Sequence, residues 1–169
     1  MQAVARVIRD EPADCIALKL GINTHNLASF SLRTFATSAL GCVLTIRDGH
    51  PDIPIVLISP IFGTWREDIP TGANRKGEDG VPLSGATWPT LQTMRADIRS
   101  IVELLRKRGD RNIHYRDGLD LFGPGDVDYL PDGLHPNGDG YEILGTRFAR
   151  YEFGPEGRLV AGRYAAESL

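Results

Sequence analysis

Residues 15–23 read CIALKLGIN: an almost continuous apolar run, a glycine that breaks it, and an asparagine close behind. A run this short and this apolar suits a β-strand covered on both faces, as in a parallel sheet. The flanks agree. Upstream, Ala3, Val4, Val7 and Ile8 recur at helical spacing until Pro12 stops them. Downstream, Phe35, Ala39, Leu40, Val43, Leu44 and Ile46 form a helical stripe that ends in RDGHP, with Gly49 placed for a left-handed cap and Pro51 beyond it.

The same alternation continues. IPIVLIS, residues 53–59, is a second buried strand. The stretch from Pro60 to Trp88 is rich in Gly, Pro, Asp, Asn and Thr, and is longer than compact domains tolerate without purpose, which marks it as a functional surface loop. From Leu91, the residues Met94, Ile98, Ile101, Val102, Leu104 and Leu105 hold a helical period, with Pro89 suited to the first turn and Gly109 to the end. NIHYRD, residues 112–117, reads as a third strand, and Asn137 can cap a last helix carrying Tyr141, Ile143, Leu144 and Phe148. The order α-β-α-β-α-β-α predicts an α/β fold, a parallel sheet with helices on both faces. Ligands of such sheets bind beyond the carboxyl ends of the strands, so the loops after Leu20, Ile58 and Tyr115 are the ones to search.

Composition narrows the function. The 169 residues, 41% of them hydrophobic, are enough for one core, and a single domain spanning 1–169 is expected. A net charge of −3 supplies no basic surplus for a phosphate backbone, which argues against nucleic acid as a partner. The longest apolar runs, about seven residues, fall far short of the roughly 20 that span a bilayer. The opening MQAVARVIRDEPADC places charges where a signal peptide carries its apolar segment, so the expectation is a cytoplasmic chain. Cys15 and Cys42 lie in apolar runs without C-x-x-C spacing and read as two buried thiols. The histidines show no zinc-ligand spacing, and no metal is expected.

Chemistry concentrates in PDGLHPNGDGY, residues 131–141. A histidine serves as a general base toward a hydroxyl only if one ring nitrogen is held by a group that also stabilises its cation, and a carboxylate does both. Asp132 and His135 are of the right types, and Gly133 and Pro136 favour the turn that folds one back on the other. The plainer alternative is a loop running into a helix cap, with Asp132 bonding backbone amides and His135 incidental. Asn23, at the end of the first strand, is open to two readings as well: a turn residue, or a side-chain amide aimed into the crevice as a donor to an oxyanion. His25 borders this region and is either a substrate contact or, more simply, a solvated loop histidine, and His50 and His114 read as structural. Phe62, Trp65 and Trp88 either line a pocket or anchor the long loop.

The succession LKLGIN, helix, IVLISPIF, long helix, strand, DGLHPNGDGY resembles the SGNH or GDSL-type esterases and acylhydrolases, over nearly the whole chain and in the same order. The resemblance implies a three-layer α/β/α, flavodoxin-like fold without metal or organic cofactor, an ester hydrolase acting on a small-molecule ester. It assigns His135 as general base, Asp132 as its orienting acid and Asn23 as an oxyanion-hole donor. The family's GxND block reads Gly21, Ile22, Asn23, Thr24 here, and the block with the nucleophilic serine and the block with the oxyanion glycine are absent.

Among the serines at 29, 31, 38, 59, 84, 100 and 168, Ser59 ends a strand on the correct rim, but Pro60 behind it has no amide to offer an oxyanion, and a structural role is the simpler assignment. The expectation is therefore a chain lacking the N-terminal strands, with the serine outside it. In the flavodoxin-like order 2-1-3-4-5 the missing first strand would lie beside CIALKL, leaving that strand as an exposed edge to be covered by a further segment or by another copy of the chain. The competing reading is a binding or assembly module that keeps the hydrolase architecture without catalysis.

Overall fold

A computed structural model describes residues 1–70 and 87–160. Three parallel strands, β1 (Ile16–Lys19), β2 (Ile55–Ile58) and β3 (Ile113–Arg116), lie in the order β1-β2-β3, with Ile16 beside Ile55 and Ile55 beside Ile113. Helices α1 (Gln2–Asp10), α2 (Ile22–Asn26), α3 (Leu32–Gly49), α4 (Leu91–Lys107), α5 (Gly118–Leu121) and α6 (Gly138–Phe153) connect and flank them.

Alternation along β2 divides the layers. Ile55 and Leu57 point into the main core with Phe35, Ala39 and Val43 of α3 and Met94 and Ile98 of α4, all fully buried. Val56 and Ile58 point the other way, toward Leu121 of α5 and Leu144 and Phe148 of α6. Every β2 side chain is buried, which is why IVLI has no polar position. The result is the three-layer α/β/α arrangement with a parallel sheet.

One face of β1 departs from expectation. Ile16 is buried and Leu18 half-buried on the main-core face, but Ala17 and Lys19 on the opposite face are exposed. The strand sits at the sheet edge, and among the described residues no strand pairs with its outer side. α1 follows suit. Ala5 is buried, whereas Val4 and Val7 are 61% and 62% exposed, Val4 on the cavity that β1 also lines.

Capping places two further elements differently from the sequence reading. α4 starts at Leu91, with Thr90 as N-cap accepting from the Thr93 amide, so Pro89 precedes the helix instead of opening it. Gly109 does adopt a left-handed φ of +99° behind α4, but Gly49 remains helical; its missing side chain leaves room for the Arg9 backbone. Asn137 caps α6 by accepting from the Gly140 amide at 2.9 Å. Among the described residues no helix is long and apolar enough to cross a membrane.

Candidate active site

The carboxyl ends of all three strands meet at one rim. β1 runs through Gly21 into α2, which carries Asn23; β2 runs into Ser59 and on to a 3-10 turn at Thr64–Glu67; the chain beyond β3 passes through α5 and a second 3-10 turn, Pro124–Tyr129, to Asp132 and His135. Of the long loop between Pro60 and Trp88, residues 71–86 lie outside the described residues.

Asp132 and His135 close on each other within a single bend. Asp132 Oδ1 accepts from the amides of Leu134 (2.9 Å) and His135 (2.7 Å), and Oδ2 lies 2.6 Å from His135 Nδ1. Gly133 between them has φ +72°, a left-handed value that glycine takes without strain, and its amide donates to Leu130 O at 2.9 Å. The Asp132 carboxyl is held well below the usual carboxylate range, first by the hydrogen bond from the His135 ring and then by the two amides. It therefore stays ionised as the partner of an imidazole. Both side chains are open to solvent, 54% and 68% exposed.

His135 and Asn23 line one cavity of about 490 Å³, together with Leu18 and Lys19 of β1, Phe62 and Tyr141. The cavity runs along the open edge of β1 to Val4 and Ile8 of α1. Thr24, standing where GxND has its Asp, donates to Gly21 O at 2.6 Å and so braces the first turn of α2.

Other candidates separate from this group. Ser59 is fully buried, 3.0 Å from the Tyr115 hydroxyl, and accepts from the Gly118 amide at 3.0 Å, a strand-end tie. Of the remaining serines, those at 29, 31, 38 and 100 do not line the cavity, and Ser84 and Ser168 lie outside the described residues. His25 corrects the expectation of a solvated loop histidine: it is 1% exposed, with Nε2 3.3 Å from Ile69 O and its ring beside Trp65, and burial lowers its pKa. His50 and His114 are buried as well. Cys15 and Cys42 are free thiols. Among the described residues no cluster of three or more His, Cys, Asp or Glu could hold a metal ion.

Residues that spacing did not flag surround the bend. Thr64 Oγ1 and Arg66 Nη1 both donate to Gly133 O, at 3.0 and 3.2 Å. Behind them Glu67 accepts from the Gly63 amide and pairs with the buried guanidinium of Arg95, which also donates to the Pro60 and Ile61 carbonyls. Nothing in the run TWRE announces these contacts, which join segments far apart in the chain.

No protein-family model matches the chain, and no curated protein matches it in sequence. Solved structures do. A salicylyl-acyltransferase, SsfX3, from a tetracycline biosynthetic pathway superposes with a TM-score of 0.71 at 34% identity, over 89% of this chain and 40% of that one. A GDSL-like lipase from Bacteroides ovatus gives 0.59 at 20% identity over 88% and 37%, and a carbohydrate esterase of family 3 from Talaromyces cellulolyticus 0.57 at 16% over 88% and 58%. Three layers around a parallel sheet define the class as an α/β fold, the one these neighbours share. The chain shares the fold of these SGNH/GDSL-type structural neighbours. It spans 40% of the length of the acyltransferase that it matches.

Proposed function

We propose that the chain carries the acid–base part of an acyl-transfer site whose reaction is the hydrolysis of a carboxylic ester. The observation that carries this reading is the 2.6 Å contact of Asp132 with His135 Nδ1, in a bend that opens on the cavity shared with Asn23. With Nδ1–H given to the carboxylate, Nε2 is the nitrogen left to take a proton. It accepts that proton from a hydroxyl as the oxygen attacks the ester carbonyl carbon. The carbonyl oxygen becomes an oxyanion, toward which Asn23 donates its side-chain amide. When the tetrahedral intermediate collapses, the carbon–oxygen bond to the alcohol breaks and the leaving alkoxide receives the proton from the imidazolium. Water then repeats the cycle on the acyl intermediate. Likeness to an acyltransferase supports the same acyl chemistry and brings alcohols in as a second class of acceptor for the last step.

Among the described residues no serine lines the cavity to serve as the nucleophilic hydroxyl. The reading takes it from a segment outside residues 1–169, seated along the open edge of β1 that borders the cavity.

The test is hydrolysis of a short-chain chromogenic ester by the longest natural translation product containing residues 1–169, beside its His135→Ala variant. A loss of about 10³-fold or more is expected, as for removal of the base from a triad. Equal rates would remove His135 as base and favour the non-catalytic binding module.

A further inference from the structure

Gly133 lies between acid and base, and its carbonyl oxygen is where a distant part of the protein grips their bend. Thr64, 69 residues earlier in the chain, donates its hydroxyl there, and Arg66 its Nη1. Grip is needed, because Asp132 and His135 are more than half exposed and packing does little to hold them. The contact is also close: a Cβ built on Gly133 would stand 3.3 Å from Thr64 Oγ1, tighter than most neighbours accept.

Thr64 makes its bond from an unfavourable backbone. Its φ is +53°, a left-handed value at which a β-branched residue is an outlier. Such a placement persists only where the surroundings over-determine it, and its presence beside a site is a pointer to function. The surroundings here do so. Glu67 Oε1 takes the Gly63 amide at 2.9 Å, Arg95 binds both Glu67 oxygens at 2.6 and 2.8 Å, and the same guanidinium holds the Pro60 and Ile61 carbonyls at 2.8 and 3.1 Å. Arg66 is steadied separately. Its Nε donates to Asn26 Oδ1 at 3.1 Å, and its guanidinium lies 4.3 Å from the centre of the Trp65 ring.

We infer that Thr64 and Arg66 are positioning residues for the Asp132–His135 pair, locking the Gly133 carbonyl so that carboxylate and imidazole keep their register at the cavity. The catalytic consequence rests on the hydrolytic reading above; the mechanical one does not. Holding the bend in place removes conformers in which the ring has swung off its carboxylate, and so raises the fraction of molecules in which Nε2 is aimed productively.

Thr64→Val keeps the side-chain shape and removes the hydroxyl, and Thr64→Ser keeps the hydroxyl. The readouts are the side-chain carboxyl titration of Asp132 and the His135 Nδ1 proton by NMR, with ester turnover measured beside them. In T64V the Asp132 midpoint is expected to climb toward the ordinary carboxylate value of about 4. The Nδ1 proton should exchange faster with water, and kcat should fall roughly 10- to 100-fold at little cost in KM. T64S should restore all three. A folded T64V with the wild-type Asp132 midpoint and Nδ1 proton overturns the inference, whatever its turnover. Should T64V fail to fold, Arg66→Met removes the other donor and is read in the same way. If T64V loosens the pair while His135→Ala leaves turnover untouched, the clamp stands and the hydrolytic reading falls. If His135→Ala abolishes turnover and T64V leaves the pair unmoved, the reverse holds.

Discussion

His114 and His135 show how far position decides what an imidazole can do. His135 sits on an exposed bend with a carboxylate at Nδ1, whereas His114 is buried in β3 among guanidinium groups, its Nδ1 accepting from Arg106 Nη2 at 3.1 Å. Burial first, then Arg106 and Arg158, lowers the His114 pKa to about 4. An unfolded chain would hold that proton up to about pH 6.5, so between roughly pH 6.5 and 4 the unfolded state binds more protons than the folded one. The stabilising contribution is therefore complete above the unfolded value and is lost as the pH falls through the folded one. Urea unfolding should show stability dropping by about 3 kcal/mol over this window through His114, and a His114→Gln protein should lose correspondingly less. Identical pH slopes for the two proteins would contradict the assignment. The Asp132–His135 pairing was legible because a three-residue bend is a local matter of Asp, Gly and turn chemistry. The burial of His25 was not, because its cover includes Trp65 and Ile69, far from it in sequence.

At the scale of elements, hydrophobic patterning located all three strands and the long helices, since periodicity reports which faces are covered. It misjudged one face of β1 and part of α1: CIALKL and the stripe through Val4 and Val7 are patterned for cover, yet Ala17, Lys19 and both valines stay exposed among the described residues. The link from α4 to the 3-10 turn was invisible, being a charged pair within apolar surroundings. Glu67 and Arg95 are 8% and 7% exposed, with Arg95 Nη1 and Glu67 Oε2 2.6 Å apart. Removing one member of such a pair strands the other charge in the interior, which costs about 3–5 kcal/mol. Glu67→Ala should destabilise by that amount in denaturant unfolding; a change below about 1 kcal/mol, the range of an exposed pair, would show that the contact is solvated.

Across the whole molecule, three loops from three strands gather at one rim, and that convergence is what makes the bend, Asn23 and the cavity a single site. The parallel sheet and the rim loops followed from alternation and from the geometry of such sheets, whereas the strand order came only with the family resemblance. The clamp on Gly133 did not, because it depends on a threonine adopting a backbone that its type disfavours. Nor, among the described residues, does any serine line the cavity with His135, which keeps attention on the open edge of β1. The most direct measurement is covalent trapping: treat the longest natural product containing residues 1–169 with an organophosphonate probe and map the modified residue by mass spectrometry. A single labelled hydroxyl, with labelling lost in His135→Ala, is the predicted result. Labelling that is absent, or that proceeds equally well without the imidazole, would contradict the account.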